Sequence, residues 1–87
     1  MENNDKHIEI YAIRFDSRLW NATTAVEWLS NNEFRTNFYK RSPDYSSHFI
    51  TYDQRSKSRY KSFKYLKNDE GVTIIFGYLR SGKIKAK

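Results

Sequence analysis

The 87-residue sequence contains no cysteine. Disulfides are excluded, and so is every zinc or iron–sulfur site built on thiolates. Only three glycines and one proline occur, too few for a flexible linker or a low-complexity segment. No glycine-rich phosphate loop, nucleophile elbow or paired-carboxylate signature is present. The two histidines, His7 and His48, are a poor start for a metal site, which needs three or four convergent ligands. His48 and Asp53 fall on one short strand at odd spacing, so their side chains point to opposite faces and do not form an acid–base pair. The longest apolar run, Val72 to Leu79, covers eight residues, far short of the ~20 that a membrane helix needs. The opening residues, Met1 to Lys6, are polar and lack the pattern of a signal peptide. These absences predict a soluble intracellular protein that is not an enzyme and holds no cofactor or metal.

What is abundant is aromatic and charged. Phe, Trp and Tyr make up 17% of the chain and charged residues 30%. Disordered chains are poor in aromatics, and large rings bury much apolar area with few residues. Residues 1–87 therefore read as a single domain. Its ordered core is expected over about 7–80, with a basic C-terminal tail at 81–87.

His7 to Phe15 predicts a strand that is apolar on both faces, with Ile8, Ile10 and Ala12 on one side and Tyr11, Ile13 and Phe15 on the other. Such a strand is central or carries a bulge that switches faces. Asp16 to Arg18 is a turn. Asn21 is an N-cap, and Ala22, Ala25, Trp28 and Leu29 follow the spacing of one buried helix face, widened by Val26. Asn31 or Asn32 is placed to end the helix in the left-handed region. Phe34 to Arg41 alternates and predicts a half-buried strand, broken by Ser42, Pro43 and Asp44. Ser47 to Asp53 and Tyr60 to Leu66 predict further strands. Asn68 to Gly71 supplies a hairpin turn, with Gly71 free to take positive φ. Val72 to Leu79 is the return strand, expected to be central, with another group packed closely over Gly77. The predicted fold is α+β, with a single helix on one face of a four- to five-stranded antiparallel sheet in the order β-α-β-β-β-β. The other face is expected to be open and to carry Arg35, Tyr39 and Lys61 or Lys64.

Charge is unevenly spread. Residues 1–54 carry six basic and eight acidic groups, whereas residues 55–87 carry ten basic and two acidic groups. Between Arg55 and Lys67 six of thirteen residues are Lys or Arg, interleaved with Tyr60, Phe63 and Tyr65. Such asymmetry suits an anionic partner. On this reading Arg55, Lys57, Arg59, Lys61, Lys64, Lys67, Arg80, Lys83 and Lys85 meet phosphates, and Tyr60 and Tyr39 stack on bases. The competing reading keeps Phe63 in the core, covers it with Tyr60 and Tyr65, and uses the lysines to guard an edge strand. A third reading makes the domain a protein-binding module, since tyrosine, tryptophan and arginine are enriched at interface hot spots.

Several stretches together form a wider pattern. They are Ile13 to Asp16, then Leu19 to Asn21 with Ala25, Val26, Trp28 and Leu29, then an aromatic-basic strand, then Arg59 to Lys64 and Gly71 to Gly77. The pattern resembles a small α+β domain in proteins of large DNA viruses and tailed phages. In that domain a W-T-x-x-x-A-x-x-W-L helix is followed by F-x-x-F-[RK]-T and G-[IV]-x-x-[IV]-x-G strands. The resemblance covers residues 8–79. Asn21 stands where Thr is usual, and the strand around Ile50 and Tyr52 lacks the arginines of the pattern. It implies a viral setting, in the host cytoplasm or nucleus or in the virion, and implies no activity. The sequence thus predicts a non-catalytic viral-type binding protein with nucleic acid as its partner; the alternative is a host or viral protein. No membrane partner is expected.

Overall fold

The computed structural model describes residues 7–37 and 44–80. Among them five strands form one antiparallel sheet, and one helix packs on it. The strands are β1 (Ile8–Asp16), β2 (Asp44–Tyr45), β3 (Phe49–Asp53), β4 (Tyr60–Lys67) and β5 (Val72–Leu79), and the helix is α1 (Ala22–Asn31). Their order across the sheet is β2-β3-β1-β5-β4. This is the α+β architecture that the sequence predicts. The middle position belongs to β1, however, and β5 lies between β1 and the edge strand β4.

β1 holds the middle by means of a bulge. Ile10 faces Phe76 and Ala12 faces Ile75, so Tyr11 is an extra residue without a partner on β5. The extra residue shifts the alternation of side chains. Ile10, Ile13 and Phe15 consequently all belong to the helix-facing core, while Ala12 and Arg14 turn to the other side. The predicted split, with Tyr11 beside Ile13 and Phe15, is corrected by this one-residue step. The Tyr11 carbonyl is not left unpaired, because it accepts the backbone N–H groups of Gln54 (2.7 Å) and Arg55 (3.2 Å).

The core lies between sheet and helix, with Ile13, Phe15, Ile50, Tyr52, Val72, Ala25 and Leu29 buried in one cluster. Phe15 is its hub. The rings of Trp20, Trp28 and Tyr52 stand 5.1, 5.7 and 5.7 Å from it, tilted or edge-on, the arrangement that aromatic quadrupoles favour. Of the predicted helix stripe, Ala25 and Leu29 are buried and Trp28 partly so, whereas Ala22 and Val26 face solvent. The stripe is therefore narrower than predicted.

α1 begins with a full capping box: Thr24 N–H donates to Asn21 Oδ1 at 2.9 Å, and Asn21 N–H donates to Thr24 Oγ1 at 3.0 Å. It ends at Asn31 with Asn32 as its cap, but neither asparagine takes the left-handed conformation. Glu33, at φ 64°, takes the left-handed conformation, and Phe34 N–H returns to the Leu29 carbonyl at 2.9 Å. At the β4–β5 turn the Asn68 side chain accepts the N–H groups of Glu70 and Val72, and Gly71 takes φ 82°. A Cβ on Gly71 would come within 2.8 Å of the Leu19 side chain.

The strand predicted from Phe34 to Arg41 does not form over its described part. The side chain of Gln54, buried against this segment, replaces a strand neighbour: Arg35 N–H donates to Gln54 Oε1 at 2.7 Å, and Gln54 Nε2 donates to the Arg35 carbonyl at 2.9 Å. Phe34 stacks parallel on Trp28. Phe34 thus records packing on the helix, with no ladder. The strand after the helix is the two-residue β2, and the segment at 38–43 lies outside the described residues.

Two outcomes test this core. The Tyr52 hydroxyl is buried without a hydrogen-bond partner, a condition that costs free energy. Tyr52→Phe should leave stability unchanged or raise it by about 1 kcal/mol, measured by urea unfolding. The Asp16 carboxylate accepts the Arg18 side chain at 2.9 and 3.2 Å and the Arg18 N–H at 2.9 Å. These bonds hold its pKa down to about 2, from 3.8. A carboxyl whose pKa falls on folding stabilises the fold above its unfolded value, and the contribution disappears as pH drops through the folded value. Stability should therefore decline between about pH 4 and pH 2 more steeply than in Asp16→Asn; parallel declines in the two proteins would refute the assignment.

Candidate nucleic-acid interface

Opposite the helix, the sheet has a face that no helix covers among the described residues, built on two cross-strand rows. One runs Asp44, Thr51, Arg14, Thr73 and Lys67; the next runs Asp53, Ala12, Ile75 and Tyr65. Residues directly opposite in antiparallel strands share a face, so these side chains emerge together. Ala12, Ile75 and Thr73 are buried and form a floor. Around them stands a cavity of about 360 Å³, with Arg14, Phe63, Tyr65 and Lys57 among its walls.

Arg14 sits at the centre of this face. Its guanidinium carbon lies 4.8 Å from the centre of the Phe49 ring and 5.4 Å from that of Tyr65. Both distances are within the range of cation–π attraction. Tyr65 is itself 56% exposed, so it has ring surface to spare for a ligand. The Lys57 ammonium lies 5.9 Å from the Phe63 ring.

At the other end the face is closed by aromatic packing. Tyr11, Tyr60 and Phe63 meet pairwise at 5.1 to 5.8 Å. Tyr60 is only 3% exposed and lies flat over Gly77, where a Cβ would overlap its ring. Its hydroxyl donates to Glu9 Oε1 at 2.9 Å, and burial, then this bond, push the phenol pKa up. Glu9 also accepts Arg59 Nε and Nη2 at 3.2 and 3.0 Å, and pairs with Arg55 Nε at 3.5 Å. Arg55 Nη1 donates further to the Ile10 carbonyl, beside the bulge.

The residues proposed from the sequence therefore separate. Lys57 and Lys67 stand on the open face with Tyr65. Arg55 and Arg59 are held by Glu9, and Arg80 Nε donates to the Ser58 carbonyl. Tyr60 is a core residue and has no face free for a base; Phe63, the core residue of the competing reading, is half-buried and Tyr65 is exposed. Lys61 is the extra residue of a second bulge, between Tyr60 and Ser62, and is exposed. Lys64 turns to the helix side, where it lines a groove with Ile8, Leu66, Phe76 and Tyr78. Arg35 is also on the helix side, bonded through its backbone to Gln54. Tyr39, Lys83 and Lys85 lie outside the described residues. The described cations downstream of Gln54 do not share one side. Conversely, Arg14, Phe49 and Thr51 were not among the proposed residues. A lone arginine inside the apolar run from Ile8 to Phe15 was the available signal, hidden by the shift at Tyr11.

Among the described residues no group of three or more His, Asp or Glu is placed to hold a metal, and no helix is long and apolar enough to cross a membrane. Comparison with protein-family models, curated proteins and solved structures finds no match to this chain.

The contact between Tyr60 and Gly77 gives a direct test. Gly77→Ala should destabilise the fold by about 1–3 kcal/mol, as overpacking does. In Gly77→Ala/Tyr60→Ala the two losses should add to less than their sum, since the ring that the methyl strikes is gone. Strict additivity in thermal unfolding would mean that the two residues do not meet.

Proposed function

We propose that this protein is a non-catalytic binder of single-stranded nucleic acid, which it engages on the uncovered sheet face. The observation that carries this reading is the exposed Tyr65 ring beside an arginine held between two aromatic rings, with Lys57 and Lys67 on the same face. A ring offers a stacking surface to any base, and lysines at the edge meet the phosphates that follow. A flat face with one exposed ring fits splayed bases better than a closed duplex, whose bases are already stacked. Arg55, Arg59 and Arg80 contribute to the field from around the 3₁₀ turn at Lys57–Arg59 and from the end of β5, although their guanidinium groups have partners within the fold. The resemblance to viral and phage domains adds an infected cell or a virion as the setting.

A second reading rests on a separate feature. The groove of Ile8, Leu66, Phe76 and Tyr78 on the helix side is apolar in its side chains, and Leu66 is more than half exposed. Such a surface suits a protein partner.

Titration onto labelled single strands across a salt series separates the two. Affinity should fall with salt by about 0.7 log units per log unit of salt for each phosphate neutralised. Tyr65→Ala should weaken binding by about 1–3 kcal/mol. Lys57→Ala and Lys67→Ala should each flatten the salt slope, and Lys64→Ala, on the other face, should leave it unchanged. Absence of strand binding at low salt would remove the reading.

A further inference from the structure

We infer that the outer edge of β4 binds an acidic peptide in extended form, which joins the sheet as a further strand. The inference is independent of the nucleic-acid reading, and it gives the groove of the second reading a partner of stated chemistry. Its first ground is the edge itself. β4 ends the sheet on its side and pairs with β5 alone among the described residues. In an antiparallel pair alternate backbone N–H and C=O groups point away from the partner, so β4 turns a row of them outward. The strand is eight residues long, and every residue from Lys64 to Lys67 is exposed. Its bulge lies at its start, between Tyr60 and Ser62, and leaves the rest of the edge regular. A long regular edge is a template for another strand.

The second ground is the apolar groove beside that edge. α1 packs over Ile13, Phe15, Ile50, Tyr52 and Val72, which belong to β1, β3 and the first residue of β5. Farther along the same face Phe76 and Tyr78 are only half-buried. With Ile8, Lys64 and Leu66 they line a groove of about 430 Å³. Leu66 is 56% exposed at its rim. A strand laid along β4 would stand about 4.8 Å from it, and its residue opposite Leu66 would fall on the same face. An aliphatic side chain there covers Leu66 and the mouth of the groove. A nucleic acid would bring neither that side chain nor a peptide backbone to continue the ladder.

The third ground is charge. Lys61, Lys64 and Lys67 are exposed on β4, which has no acidic residue. A second copy paired through the same edge would bring six lysines, three from each strand, and no carboxylate to one seam. Like charges across a pair of strands destabilise it, and opposite charges stabilise it. The lysines thus turn away another β4 and favour an acidic strand. They recur at every third residue and so alternate between the two faces. A partner with acids at the same spacing meets them in turn, and aliphatic, β-branched residues between the acids supply the cover for Leu66.

The test titrates the full chain with the peptide acetyl-Glu-Val-Thr-Glu-Val-Thr-Glu-amide, followed by NMR and amide hydrogen exchange. Binding should be saturable and should slow exchange at β4 between Ser62 and Lys67. The same peptide with Lys in place of Glu should bind about tenfold more weakly, since each opposed charge pair is worth a factor of up to about five. Proline in place of both threonines keeps the charges and the valines. The two positions differ in parity, so one lost N–H faces β4, and affinity should again fall about tenfold. Leu66→Ser, at an exposed position, should weaken the peptide severalfold and leave the affinity for an oligothymidine strand unchanged, with circular dichroism reporting that the variant is folded. Equal binding of the Glu and Lys peptides, or indifference to proline, would overturn the added strand. So would slowed exchange at β4 produced by oligothymidine, or by rising concentration of the protein alone, and not by the peptide; the edge would then belong to nucleic acid or to a second copy. Peptide binding without any oligothymidine binding would support the edge and remove the nucleic-acid reading.

Discussion

The fold depends on one extra residue in its central strand. Without the bulge at Tyr11, strict alternation would put Ile10 and Ala12 on one face, and Tyr11, Ile13 and Phe15 on the other. Either face would then be only partly apolar. With it, Ile10, Ile13 and Phe15 line up under the helix, and Arg14 is delivered to the opposite face beside the small Ala12. A bulge frees backbone groups, and freed groups must be satisfied. Here the carbonyl of Tyr11 takes two N–H groups from Gln54 and Arg55, and the carbonyl of Ile10 takes the Arg55 side chain. The segment after β3 is thereby tied to the middle of the sheet.

That tie explains why positive charge concentrated in sequence does not concentrate in space. Arg55 and Arg59 converge on Glu9, at a point where Tyr60 needs its hydroxyl satisfied. Lys61, Lys64 and Lys67 sit on the edge strand β4, and a strand sends successive residues to opposite faces. Lys64 and Lys67 are three apart and so cannot share a face. Density of charge along a chain speaks for a surface only when the period of the element brings the charges together, and here the period is two.

Much of the fold was legible from letters alone. Asn21 announces the helix start and Asn68 with Gly71 announces the hairpin, each a local signal whose physical cause is also local; the absence of a side chain at Gly77 announces a close neighbour without saying which. The errors came where a distant partner decides. Phe34 and Arg35 look like a strand because nothing in that segment reveals that Gln54, nineteen residues later, will satisfy the Arg35 backbone with its side chain. Tyr60 looks like an exposed stacking residue because Glu9 and Gly77 are remote in sequence. The site suffered most. Its central residue, Arg14, is identified only once the parity of β1 is known, and a bulge is a property of the pair of strands.

The uncovered face is divided in character, and the division bears on what can lie there. Toward the bulge, Tyr11, Tyr60 and Phe63 pack over Gly77 as a second small core, and the ion pairs around Glu9 close its rim. Toward the β4–β5 turn Ala12, Ile75 and Thr73 are buried beneath one guanidinium, a hydroxyl, carboxylates and an exposed ring. An apolar ligand would bring no acceptor to the Arg14 guanidinium, and a purely anionic one would lie beside Asp44. What matches both is a flat neutral body with polar edges, attached to a charged backbone that stays outside. A base on a single strand has that form. On the strand-binding reading, charge at the rim attracts any strand, and the exposed Tyr65 ring offers a stacking surface that does not depend on sequence.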